Sequence, residues 1–203
     1  MYVVGVNTDD YKPTQKIVSN ASCTTNCIAP IAKIINDYVG IEKGFISTIH
    51  SITSSQNTLD SRGSKNIRIG RSCNNIIPST TGSTKALGIV IPQLNGKILG
   101  ISYRVPTSNV SIVDFSFQTI KETSYDEIIE KIKCESNNSL KGILDYSYEE
   151  LVSSDYIGNS HSSIIDVNLG KQIGNKFFKI AAWYDNEWGY SFRVVDLLMI
   201  ISK

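Results

Sequence analysis

Between Gly44 and Tyr184 the chain carries five strand-like segments and only two helical stretches to separate them. The segments are Gly44 to His50, Ile98 to Val105, Val110 to Ile120, Ser162 to Val167 and Phe177 to Tyr184, rich in β-branched and aromatic residues. Strands grouped together with few helices between them suggest a mixed or antiparallel sheet, the α+β pattern. That arrangement constrains the fold more than any other feature of the chain.

The remaining segments fill in the architecture. Ile28, Ile31, Ile34, Ile35 and Tyr38 follow the three-and-four spacing of a buried helical stripe, with Gly40 as the stop. Ser22 or Cys23 is the expected cap, and Pro30 is expected to kink the middle because it removes a backbone donor. A long polar stretch, Ser54 to about Ser72, has no clear period, and loops of that length are functional or disordered. Lys85 to Ile91 reads as a short helix ended by Pro92. Ser124-Tyr125-Asp126-Glu127 is a capping box before the helix carrying Ile128, Ile129 and Ile132. Gly189 to Ser202 reads as a closing helix with Val194, Val195, Leu198 and Ile201 on one side. The opening run, Tyr2 to Asn7, has the apolar content of a strand buried on both faces, and its sheet neighbours would have to come from elsewhere.

Composition narrows the function classes. Over 203 residues, 20 basic side chains face 19 acidic ones, a net charge of +1. That balance argues against nucleic-acid binding through bulk positive charge. Apolar runs such as Leu197 to Ile201 fall far short of a membrane span, and no basic segment follows Met1 to suggest a secretory signal. A cytoplasmic location with reduced thiols is the expectation. The four cysteines, Cys23, Cys27, Cys73 and Cys134, and the two histidines, His50 and His161, show no zinc-ligand spacing, so no metal site is expected.

The candidate chemistry gathers at four places. Cys23 opens the first helix, where unpaired N–H groups and the positive dipole end favour thiolate. A small capping residue would sit equally well there, and Cys27, one turn on, reads as packing. His50 ends a strand 27 positions later; paired with Cys23 it would supply an acid–base partner for covalent catalysis. Alone, a strand-end histidine is as readily structural. Ser79-Thr80-Thr81-Gly82-Ser83 precedes a helix and could hold an anion, and Arg104 at a strand end could grip a phosphate. Ordinary capping and a surface ion pair are the competing readings of these two. Together the four suggest a thiol enzyme acting on an anionic, phosphorylated substrate.

Five segments in order carry a resemblance to a known family. They are Ser19-Asn20-Ala21-Ser22-Cys23-Thr24-Thr25-Asn26-Cys27, Thr48-Ile49-His50-Ser51-Ile52-Thr53, Ile76 to Gly82, Arg104 to Ser111, and Trp183-Tyr184-Asp185-Asn186-Glu187-Trp188-Gly189-Tyr190. With these the chain resembles the catalytic half of glyceraldehyde-3-phosphate dehydrogenase. The resemblance implies that Cys23 attacks the aldehyde, that His50 takes its proton, and that the Cys23 N–H and the His50 ring hold the oxyanion. It implies substrate-phosphate binding by Thr53 and Arg104, and binding of the attacking inorganic phosphate by Ser22, Thr24, Thr81 and Gly82. Asn186 would fix the nicotinamide carboxamide, with Tyr190 beside the ring. The implied cofactor is NAD, with NADP not distinguished, because the acidic residue that reads the ribose belongs to the Rossmann unit. The implied partners are glyceraldehyde 3-phosphate, inorganic phosphate and three further copies in a homotetramer.

Two departures accompany the resemblance. Ile67-Arg68-Ile69 stands where the family has a tryptophan, and this bears on the inter-subunit loop. No Gly-x-Gly-x-x-Gly phosphate turn occurs in these residues. Residues 1–21 are therefore expected to be a remnant of the NAD-binding domain, 22–185 the catalytic domain, and 186–203 a C-terminal helix belonging to the NAD-binding domain. Such a partial chain is expected not to sustain NAD-dependent turnover alone. Erythrose-4-phosphate dehydrogenase, a cysteine hydrolase and an inactive fragment that pairs with full-length subunits are the alternatives. The hydrolase leaves Asn186 to Tyr190 without a task, and Ser79 to Gly82 suits an attacking phosphate.

Overall fold

A computed structural model of the chain describes residues 1–59 and 70–202. Its first helix, α1 (Cys23–Val39), leads directly into strand β1 (Ile41–Ser51). Strand β2 (Ile77–Thr80), helix α2 (Ser83–Val90) and strands β3 (Ile98–Val105) and β4 (Ser111–Thr119) follow. Helix α3 (Tyr125–Asn137) then precedes β5 (Leu144–Ser147), β6 (Ser163–Ile173), β7 (Phe177–Tyr184) and the closing helix α4 (Trp188–Ile201).

The seven strands form one mixed sheet in the order β2-β3-β1-β4-β7-β6-β5. Two neighbouring pairs, β1 with β3 and β5 with β6, are parallel, and the rest are antiparallel. The α+β expectation holds. On β4 the even alternation buries Ser111, Val113, Phe115, Phe117 and Thr119 on one face, and α1 packs across that face. Phe115, Phe117 and Phe178 stack in series at 4.7 and 5.7 Å between centroids. Each such ring contributes roughly 1.5–3 kcal/mol by leaving water. The other face is left open toward β1 and β3, where Phe45 and Leu99 are 52% and 62% exposed.

Local chemistry explains where the elements begin. Ser22 caps α1 by accepting the Thr25 N–H at 3.1 Å, and α1 runs through Pro30 to Gly40, which takes φ +74°. The capping box before α3 forms with both of its hydrogen bonds. Asp185 accepts the Glu187 and Trp188 N–H groups at 3.0 and 2.8 Å, which satisfies two donors at the start of α4.

Several expectations require correction. The run Tyr2 to Asn7 is a set of turns and not a strand. Gly5 adopts φ +78°, and the Asn7 side chain accepts the Val3 N–H at 2.8 Å, so the chain folds on itself instead of extending. Its apolar residues are still buried: Val3 joins the main core, while Tyr2 and Val4 cluster with Leu197 of α4. Strands β2 (Ile77–Thr80) and β5 (Leu144–Ser147) add to the five strand-like segments of the sequence. Both are four residues long and lie at the sheet edges, and Pro78 is tolerated in β2 because an edge strand leaves one side of its backbone unpaired. Ser79 and Thr80 accordingly belong to β2, and α2 starts at Ser83 with Gly82 in the cap position. Strand β6 runs six residues beyond Val167, past an irregularity between Asp166 and Lys171. The departure at Ile67, Arg68 and Ile69 lies outside the described residues.

Candidate active site

The parallel pairing of β1 with β3 sets His50 directly opposite Arg104, and Thr48 opposite Ser102. Sheet register therefore brings together two side chains 54 positions apart. Cys23 enters from the side, at the first position of α1. Its Sγ lies 3.5 Å from His50 Nε2. On the other ring nitrogen, His50 Nδ1 is 2.7 Å from the Ser51 carbonyl oxygen and 2.7 Å from Arg104 Nη1. Arg104 Nη1 also donates to the Ser51 carbonyl at 3.1 Å.

A second group of hydroxyls faces this pair across a cavity of about 390 Å³. Thr81 Oγ1 donates to Ser83 Oγ at 2.9 Å, Ser83 Oγ is 3.3 Å from Ser22 Oγ, and Ser22 Oγ is 2.7 Å from Thr25 Oγ1. The chain of hydroxyls ties the N-terminus of α2 to that of α1, so two positive dipole ends share one opening. Ser22, Cys23, His50, Thr81, Gly82 and Arg104 all line it. Arg104 has no carboxylate partner among the described residues, and its Nε is buried without a hydrogen-bond acceptor. A guanidinium so placed, beside two helix N-termini, suits a bound anion.

Beneath the pair lies Tyr184. Its hydroxyl is 2.9 Å from both Thr24 Oγ1 and Thr48 Oγ1, and its ring meets His50 edge-on at 5.9 Å. The two-residue alternation of β7 was the available signal, since it puts Tyr184 on the same face as Phe178 and Ile180. Burial pushes the Tyr184 phenol well above its ordinary range. Thr24 lines the cavity, but its hydroxyl is turned to Tyr184.

Burial also governs the titration of the pair. It pushes the Cys23 thiol up, against the Thr24 hydrogen bonds and the Arg104 charge, which pull it down. The expectation of a depressed thiol is thus not met, because loss of solvent outweighs the helix terminus. Burial lowers His50 to about 4, with the Ser51 carbonyl opposing and Arg104 reinforcing the shift. Both shifts favour neutral thiol and neutral imidazole at rest, with an unprotonated ring beside the thiol.

Three named residues stand away from this opening. The Thr53 N–H and hydroxyl both donate to Gln56 Oε1, at 2.9 and 3.0 Å. Asn186 is buried; its Oδ1 accepts from Ser51 Oγ and Ser111 Oγ at 2.9 and 2.8 Å. Tyr190 donates to the Ala21 carbonyl at 3.2 Å, two residues before Cys23. None of the three lines the cavity.

Comparison with known proteins shows the family. Residues 22–186 match the family model of the glyceraldehyde 3-phosphate dehydrogenase C-terminal domain. The chain is 57% identical to the cytosolic glyceraldehyde-3-phosphate dehydrogenase of Craterostigma plantagineum, over 98% of this chain and 59% of that protein. It is 54% identical to the cytosolic enzyme of Sinapis alba, over 100% of this chain and 60% of that protein. With glyceraldehyde-3-phosphate dehydrogenase 3 of Saccharomyces cerevisiae the identity is 52%, over 100% and 61%. The chain thus spans about three fifths of the length of the curated relatives it matches. Its fold, its ordered motifs and these matches make it a member of the glyceraldehyde-3-phosphate dehydrogenase family, carrying that family's C-terminal domain.

Proposed function

We propose that the chain supplies the catalytic chemistry of a phosphorylating glyceraldehyde-3-phosphate dehydrogenase of glycolysis. The observation that carries this reading is the convergence of Cys23, His50 and Arg104 on one opening. Cys23 Sγ attacks the aldehyde carbon while its proton passes to His50 Nε2, and the carbonyl oxygen becomes an alkoxide. The Cys23 N–H, free at the start of α1, and the protonated His50 ring stabilise that charge. Arg104 holds the substrate phosphate, with Thr53 as its proposed partner on the following segment. Ser22, Thr24, Thr81 and Gly82 bind the inorganic phosphate, whose oxygen attacks the Cys23 thioester; the thiolate leaves and an acyl phosphate forms.

When bound, the oxidised nicotinamide of NAD, or of NADP, supplies the acceptor for the hydride lost from the substrate carbon. Asn186 fits its carboxamide end: Oδ1 is engaged inward, and Nδ2 uses one hydrogen on Glu187 Oε1 at 3.2 Å, which leaves a second to donate. Tyr190 would lie beside the ring.

The same reading assigns residues 1–21 and 186–203 to a dinucleotide-binding unit and 22–185 to the catalytic domain. Support comes from the packing of Tyr2 and Val4 on Leu197, and from the exposed stripe Trp188, Phe192, Val195 and Met199 on α4. A homotetramer would cover the open sheet face at Phe45 and Leu99. A cytosolic location follows the relatives named as cytosolic enzymes.

The test joins this chain to the dinucleotide-binding domain of a relative and follows NADH formation. Turnover should require both glyceraldehyde 3-phosphate and inorganic phosphate, and Cys23→Ser should abolish it. Arg104→Leu should raise KM for the phosphorylated aldehyde by on the order of 1.5–3 kcal/mol, the worth of a charge-assisted contact. Unphosphorylated glyceraldehyde should be nearly indifferent; equal losses for both substrates would remove Arg104 from the phosphate site.

A further inference from the structure

We infer that Ser83 binds the inorganic phosphate directly, donating its hydroxyl hydrogen to a phosphate oxygen, and that Thr81 acts on the anion through it. The inference deepens the reading of the opening as the place where inorganic phosphate attacks the thioester, and rests on it.

A count of hydrogens at the start of α2 carries the inference. Thr81 Oγ1 accepts the Ser83 N–H at 3.2 Å and donates its own hydrogen to Ser83 Oγ at 2.9 Å. A hydroxyl has one hydrogen, so Thr81 has none left for an anion. Ser83 Oγ, having accepted from Thr81, must direct its own hydrogen elsewhere. Its other neighbour in the hydroxyl chain is Ser22 Oγ at 3.3 Å, beyond the roughly 2.5–3.0 Å of a well-formed O–H···O bond. Ser22 Oγ is engaged in any case: it accepts the Thr25 N–H at 3.1 Å and lies 2.7 Å from Thr25 Oγ1. The Ser83 hydrogen is thus left without a close acceptor among the described residues.

The place of that hydrogen suits an anion. Ser83 is the first residue of α2, next to Gly82, and lines the same cavity as Ser22, Cys23 and Arg104. It is 3% exposed, so bulk water competes little for its hydrogen, and a charged acceptor gains more from it than from a surface hydroxyl. The positive ends of α1 and α2 and the guanidinium of Arg104 set the sign of the field there. Ser83 stands with Ser22 and Thr81, on the side of the opening assigned to inorganic phosphate, and not on β3 with Arg104. Helix capping does not account for the hydroxyl. The group that Thr81 Oγ1 caps is the backbone N–H of residue 83, which any side chain at that position except proline would retain.

Protection of Cys23 from iodoacetamide by rising concentrations of inorganic phosphate, at constant ionic strength, measures the site in the chain itself. Ser83→Ala should weaken that protection about 10-fold, the low end for a hydrogen bond to a charged acceptor. Its labelling rate without phosphate and its Tm should match those of the unsubstituted chain, which a merely structural role for the hydroxyl would change. Ser83→Thr, which keeps a hydroxyl, should retain the original affinity. Glycerol 3-phosphate, an ester with no aldehyde for the thiol to attack, separates the two sources of phosphate. Its protection should weaken with Arg104→Leu and change little with Ser83→Ala. Equal protection of the unsubstituted and Ser83→Ala chains by inorganic phosphate would overturn the inference, and so would a loss confined to the ester. If Ser83→Ala fails to fold, Ser83→Gly deletes the same hydroxyl and is held to the same outcomes. Failure of the underlying reading looks different: inorganic phosphate would then leave Cys23 of the unsubstituted chain unprotected.

Discussion

The first and second turns of α1 each carry a cysteine, four residues apart, and the two thiols meet opposite surroundings. Cys23, at the first helical position, lies at the mouth of a cavity with an imidazole nitrogen 3.5 Å away and unpaired helix donors beneath it. Cys27 is fully buried, with Ser163 Oγ at 3.6 Å as its polar neighbour, and burial pushes its thiol up to about 12. Helix geometry puts residues four apart on the same face, so spacing alone would make the two alike. The difference is depth. One turn moves the side chain from the end of the helix, where the sheet edge leaves an opening, to the middle of the core beneath β6 and β7. What teaches most is that burial raises both thiols, and only Cys23 has a base to offset it.

The largest effect that could break this comparison is alkylation. Cys23 should react with iodoacetamide at neutral pH at least ~100-fold faster than Cys27, whose exposure requires local unfolding. Peptide mapping of a time course measures the ratio; comparable rates would mean that the core around Cys27 opens readily. His50→Asn should narrow the gap by slowing Cys23 about 100-fold, the lower end for general-base assistance.

A second effect is on stability against pH. His50 falls from its ordinary 6.5 to about 4 in the folded chain. Between those values the unfolded chain binds a proton that the folded chain refuses. The full stability is present above pH 6.5, and on the order of 3 kcal/mol is lost as the pH falls through 4. Urea unfolding at pH 7 and pH 4 reads this loss, which should shrink in His50→Asn. An identical decline in the variant would assign the acid sensitivity to other groups.

The smallest effect sharpens the contrast in packing. Cys27→Ala should cost about 1 kcal/mol by opening a small cavity beside Ser163, in line with small truncations of core side chains. Cys23→Ala should cost less than roughly 0.5 kcal/mol, because its side chain faces the cavity and packs only partly against the core. Thermal unfolding of the two variants compares them; a larger loss at Cys23 would mean that the thiol is structural.

Much of the fold was readable because it rests on local rules. Ser22, Gly40, the Ser124–Glu127 capping box and the bounds of β3 and β7 all came from residues acting within a few positions of one another. The misses have a common cause. The opening run Tyr2 to Asn7 has a strand's apolar content, but burial can be satisfied by turns once Leu197 and the core cover them. The edge strands β2 and β5 are too short to show a period, and only pairing with β3 and β6 makes them strands. Tyr184 escaped for a related reason, since its importance lies in the Thr24 and Thr48 hydroxyls it meets only after folding.

The sequence by itself determined the α+β class, the helix that begins at Cys23, and the residue types from which a thiol site could be built. Tertiary structure alone decided which of them meet. Parallel pairing of β1 and β3 sets His50 beside Arg104, and the packing of α1 on the sheet brings Cys23 within reach of Nε2. It also reversed the expected direction of the thiol's titration, because desolvation depends on what surrounds a side chain and a helix N-terminus supplies only part of that field. Capping and periodicity act over one or two turns of chain and can be read in order. Register and depth are set by contacts such as His50 with Arg104 and Ser51 with Asn186, 54 and 135 positions apart, and these exist only once the chain has folded.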